Sequence, residues 1–81
     1  MFIRIMTLNG NIYKYEVENT DSISSLKKKF IESINDYTMN SQYFNYKKES
    51  LKDETKTFKD YNIINDEILL IGIPNLNYNI K

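Results

Sequence analysis

The chain has 81 residues, no cysteine and no histidine, and its eleven cationic side chains balance eleven anionic ones. That length suits one small domain, and the missing residue types exclude disulfides, thiolate or histidine zinc sites and the Ser-His-Asp or Cys-His nucleophile pairs. Zero net charge argues against nucleic acid or an anionic membrane as partner, because both are held chiefly by basic surface.

Phe2–Thr7 alternates, with Ile3 and Ile5 on one face, and Tyr13–Val17 alternates again, with Tyr13, Tyr15 and Val17 facing the same way. Asn9-Gly10-Asn11 between them tolerates the positive φ of a tight hairpin. Thr20-Asp21-Ser22 then offers capping oxygens ahead of Ile23, and Ile23, Leu26, Phe30 and Ile34 recur on one side of a helix. Lys27, Lys28 and Lys29 read as its solvated flank, near its electronegative end. Asn35–Ser41 reads as a polar loop, Tyr43–Tyr46 as a short strand, and Leu51 as its companion after a turn through Lys47–Ser50. Lys52–Lys56 is charged and expected on the surface. Phe58 and Ile63 bracket an Asp60-Tyr61-Asn62 turn, and Glu67–Ile73 forms a last apolar strand.

This order predicts an α+β domain over residues 1–73, a mixed sheet of four or five strands packed on one helix. The expected core is Ile3, Ile5, Tyr13, Tyr15, Val17, Ile23, Leu26, Phe30, Phe44, Leu51, Phe58, Ile63, Leu69 and Ile71, with tyrosine hydroxyls reaching water or a carbonyl at its edge. Residues 74–81 are expected to be a flexible C-terminal tail. Alternation of Tyr78 and Ile80 with asparagine leaves a second reading, docking along a sheet edge, which would promote a dimer. Otherwise a monomer is expected.

No apolar run approaches about 20 residues. Charged Arg4 stands where a signal peptide keeps its apolar stretch, so an intracellular, cytoplasmic protein is expected. Abundant Asn, Ile and Lys, no Ala and a single Arg suggest an A+T-rich genome: a large DNA virus, a parasite or a low-GC microbe. Asp53, Asp60, Glu49 and Glu54 sit in exposed segments without partners that would shift them apart, which predicts no enzyme, no metal and no cofactor.

The hairpin residues Met1, Ile3, Thr7, Leu8, Gly10, Glu16, Val17 and Glu18, together with Asp60-Tyr61-Asn62-Ile63, resemble the ubiquitin family. The resemblance runs to about Ile73, with one-residue insertions near the helix end and around Lys52–Lys56. It implies a β-grasp fold and a structural role for the Asp60, Tyr61, Asn62 turn, the Tyr61 hydroxyl bonding backbone in the neighbouring loop. It also implies a partner-binding patch on the sheet face at Leu8, Asn45, Leu70 and Gly72, where the family has leucine, isoleucine, histidine and valine. A polar Asn45 at the centre removes the anchor that ubiquitin receptors bury, so these should bind poorly. Leu8 and Leu70, with Tyr43 and Phe2, read either as a contact site or as scattered surface apolar groups.

Lys27 and Lys29 match family lysines, whereas Met6, Asn11, Glu49 and Asn65 replace the others. Ubiquitin-type modifiers are activated at a terminal Gly-Gly, and here Gly72 is the one late glycine, followed by Pro74. The resemblance therefore implies a non-conjugated ubiquitin-like interaction module (adaptor, subunit or ubiquitin mimic) with protein partners of unknown identity. The alternative is a divergent modifier or sulfur carrier activated at a processed C-terminus.

Overall fold

Alternating apolar residues near both ends of the chain build the centre of the sheet. The structure is a computed structural model that describes residues 1–72, so the expectations for Ile73 and for 74–81 lie outside the described residues. Strand β1 (Phe2–Met6) and β2 (Ile12–Glu16) pair antiparallel, with Ile3 opposite Tyr15 and Ile5 opposite Tyr13. Their tip closes through Thr7 N–H to the Asn11 carbonyl (3.0 Å) and Gly10 N–H to the Thr7 carbonyl (2.9 Å), with Gly10 at φ +86°. Strands β3 (Asn45–Tyr46) and β4 (Glu49–Ser50) pair antiparallel, and β5 (Glu67–Leu70) lies parallel to β1 and antiparallel to β3. The sheet order is β2-β1-β5-β3-β4. A parallel β1/β5 pair at the centre requires a long crossover, and everything between the hairpin and β5 supplies it.

Helix α1 (Ile23–Ile34) starts where the sequence signals it: Ser22 Oγ accepts from Ser25 N–H at 3.2 Å. Its Ile23 and Ser24 N–H groups donate to the Lys56 and Glu54 carbonyls, both at 2.9 Å, so the 54–56 loop closes this end. Asn35 ends the helix in the left-handed region at φ 55°.

Ile3, Ile5, Val17, Ile23, Leu26, Phe30, Phe44, Leu51, Phe58, Ile63, Leu69 and Ile71 are buried, and Ile31 and Tyr46 join them. Phe30 sits centrally, edge-on to Tyr13 (5.6 Å between centroids) and Tyr15 (6.5 Å), and tilted against Phe44 (6.3 Å). Tyr13 and Tyr15 are only half-buried, contrary to their expected core placement, because β2 is an edge strand. The Tyr15 hydroxyl is hydrogen-bonded to Ser33 Oγ.

Three further expectations about the elements are corrected. The second strand begins at Ile12 and ends before Val17, whose N–H donates to the Met1 carbonyl at 2.8 Å. Asn35–Ser41 is not all loop: Tyr37–Ser41 forms a 3₁₀ turn, started by Asp36 accepting from Thr38 N–H at 3.1 Å. The last strand stops at Leu70. Ile71 N–H still reaches the Met6 carbonyl (3.0 Å), but Gly72 adopts φ +73°, which no strand residue has.

Lys27 is the largest departure. It lies in the second turn of α1, away from the electronegative end, and its side chain is 7% exposed. Its Nζ donates to Glu54 Oε2 at 2.9 Å and to the Asn40 carbonyl at 3.2 Å, and lies 5.2 Å from the Tyr43 ring centroid. The Glu54 side chain, expected fully in solvent, is 22% exposed.

Candidate functional site

Burial of Ile3, Ile5, Leu69 and Ile71 against the helix turns the intervening residues to the opposite sheet face. The register sets these in rows. Ile12, Met6, Leu70, Asn45 and Ser50 run across all five strands, followed by Lys14, Arg4 and Ile68, and then by Glu16 and Phe2. Leu70 therefore lies between Met6 and Asn45. The Asn45 carboxamide oxygen accepts from Ser50 Oγ at 2.8 Å, which fixes the polar group at this position.

Two residues beyond the Met6–Leu70 pair, Leu8 and Gly72 meet. A methyl group added at Gly72 would lie 4.0 Å from Leu8 Cβ and 3.9 Å from Met39 Cε. Leu8 is 69% exposed at the hairpin tip. With Tyr13, Ile34 and Met39, Leu8 and Gly72 line a groove of about 530 Å³ between the tip, the end of α1 and the 3₁₀ turn. The structure thus brings Leu8, Asn45, Leu70 and Gly72 to one end of the sheet.

Met6, Ile12 and Ile68 extend the apolar area beyond these four, Ile12 being 53% exposed. The alternation that placed Ile3 and Ile5 inside was the signal for Met6, and its cross-strand partner Ile12 follows from the hairpin register. Phe2 lies on the same face beneath Lys14, whose Nζ is 4.5 Å from its ring centroid. Tyr43 packs with Lys27 instead.

At the other end, Asp60 and Thr57 cap one another: Thr57 N–H donates to Asp60 Oδ2, and Asp60 N–H to Thr57 Oγ1, each at 3.0 Å. Asn62, at φ 60°, reverses the chain, and Ile63 N–H closes on the Phe58 carbonyl at 2.9 Å. The Tyr61 hydroxyl donates to the Asp53 carbonyl at 3.0 Å and ties this turn to the loop that closes α1. Among the described residues, no group of three or more Cys, His, Asp or Glu is placed to hold a metal, and no helix is long and apolar enough to cross a membrane.

A mixed five-stranded sheet on one helix is the β-grasp arrangement, and the sequence profile of the ubiquitin family matches residues 2–72. The chain belongs to the ubiquitin family. No curated protein matches it. On the third strand Asn45 carries an amide held by Ser50, and beyond the last strand Gly72 has left the extended conformation.

Hydrogen bonds from Thr55 hold the Asp53 carboxyl below its ordinary 3.8, and the backbone and side chain of Thr57 do the same for Asp60. A carboxyl depressed in the folded state adds stability above its unfolded value and loses it as pH falls through the folded one. Stability should therefore decline below about pH 4. Asp60→Asn keeps the acceptor for Thr57 N–H and removes the titration, so thermal unfolding followed across this range should show a shallower acid limb. An unchanged slope would remove Asp60 from the account.

Proposed function

We propose that this ubiquitin-family domain is a non-catalytic, non-conjugated protein-interaction module that works through the outer face of its sheet. The observation that carries this reading is the Ile12–Met6–Leu70 row with Ile68 beside it, apolar residues turned away from the helix, with Ile12 exposed and the others half-buried, and with exposed Leu8 at the hairpin tip beyond its end. Contiguous exposed apolar area on a small domain is a common mark of a contact site. With Asn45 pinned by Ser50, the anchor for standard ubiquitin receptors is replaced by a polar group, so the partners differ from theirs. Non-conjugation is supported by the residues after Ile73, Pro74-Asn75-Leu76-Asn77-Tyr78, which carry side chains where ubiquitin-type modifiers bring their narrow glycine terminus.

Leu70→Asp and Leu8→Asp should each remove binding to a partner isolated with the intact chain. Leu8→Asp, at an exposed position, should leave the thermal midpoint within a few degrees, whereas Leu70→Asp, at a half-buried one, should lower it further with the chain still folded. Partner binding retained by both variants would move the site off this face. Incubation with activating enzyme and ATP should give no thioester, and a thioester would restore the modifier reading.

A further inference from the structure

Two cations lie side by side within the apolar outer face. Arg4 and Lys14 are directly opposite across the β1–β2 ladder, an arrangement that is destabilising for like charges. Neither makes an ion pair with a described residue. The Arg4 guanidinium donates one Nη to the Asp66 carbonyl at 2.5 Å, and its Nε is buried with no hydrogen-bond partner. Lys14 rests over Phe2. The acidic groups nearby are placed otherwise: Glu16 is one row further, opposite Phe2, and the Asp66 carboxylate accepts from the Asn65 amide at 3.3 Å. Apolar side chains flank the cation pair, Ile12, Met6 and Leu70 on one side, Phe2 on the other and Ile68 beside Arg4.

We infer that this face receives a peptide segment of a partner protein in which a carboxylate is bracketed by apolar side chains. The inference rests on the interaction reading above and names the chemistry of the partner. The carboxylate meets Arg4 and Lys14, relieving the repulsion between them, and accepts from the Lys14 ammonium and from the guanidinium N–H groups not given to the Asp66 carbonyl. The flanking apolar side chains cover the Ile12–Met6–Leu70 row and Phe2, and by excluding water they strengthen the charged contact at the centre. A basic segment is rejected by the same two cations.

A displayed library of random peptides selected on the intact 81-residue chain tests this. Enriched peptides should carry Asp or Glu between Leu, Ile, Val or aromatic residues, and their affinity should fall as salt rises. Arg4→Glu and Lys14→Glu should each weaken a synthesised consensus peptide by about tenfold or more, with Arg4→Gln intermediate. Should the Arg4 variants fail to fold, Lys14→Glu on the edge strand carries the test alone. Failure to enrich any peptide, peptides enriched without an acidic residue, or binding unchanged by charge reversal, would overturn the inference. Loss of binding with Leu70→Asp but not with charge reversal would leave the interaction face standing without its acidic partner, whereas binding unaffected by all of these variants would remove both.

Discussion

Replacing Phe30 by alanine is expected to cost about 3–5 kcal/mol, the range for truncating a fully buried phenylalanine. Phe30 is completely buried and is the ring that Tyr13, Tyr15 and Phe44 all contact, so it joins the helix to both halves of the sheet. A domain of this size has about 4–11 kcal/mol in total at 0.05–0.15 kcal/mol per residue. The variant should therefore be partly unfolded at 25 °C, with a broad, early denaturant transition. A loss under about 1 kcal/mol would mean the aromatic cluster does not hold the helix to the sheet.

Lys27→Ala is expected to cost about 3 kcal/mol, near the lower end of the range for breaking a buried ion pair. The charge it leaves behind is the reason. Glu54 keeps about a fifth of its side chain in solvent, so water recovers part of the loss, but the Asn40 carbonyl also loses its donor and Tyr43 its cation. Glu54 belongs to the loop whose carbonyls receive the first N–H groups of α1, so the pair fastens that loop to the helix it closes. At roughly 4–8 °C per kcal/mol for a small domain, the thermal midpoint should drop by about 12–24 °C. Replacing both partners with apolar residues, Lys27→Met with Glu54→Leu, should recover most of this, because no charge is then stranded. If the double variant is as unstable as the sum of the single ones, the two side chains are not coupled.

Lys27 also shows what the sequence conveys and what it withholds. The stripe Ile23, Leu26, Phe30 and Ile34 marked the helix and its inward side, and Lys27 and Ile31 fall on that stripe too, four after Ile23 and one after Phe30. Ile31, which the expected core omits, lies on the same stripe eight residues after Ile23. Lys27 was not legible as buried, because a lysine on an apolar stripe stays in solvent unless a carboxylate reaches it, and Glu54 is 27 residues away. The hairpin and its inward residues could be read directly, since period-two alternation and an Asn-Gly tip leave one register. Strands β3 and β4 have two residues each, too short for periodicity to show. The pairing of Asn45 with Leu70 could be foreseen only from the resemblance to ubiquitin, because nothing local tells residue 45 which strand lies beside it. The apolar row was only half visible for a related reason: Met6 follows from its own strand, but its continuity with Leu70 depends on the parallel β1/β5 register.

Hydrogen–deuterium exchange of the intact chain, with and without its bound partner, bears most directly on the outer sheet face as the working surface. Binding should slow exchange in β1 and β5, Phe2–Met6 and Glu67–Leu70, and leave the outward side of α1 unchanged. Protection confined to α1, or to the 3₁₀ turn at Tyr37–Ser41, with β1 and β5 exchanging as in the unbound chain, would contradict it.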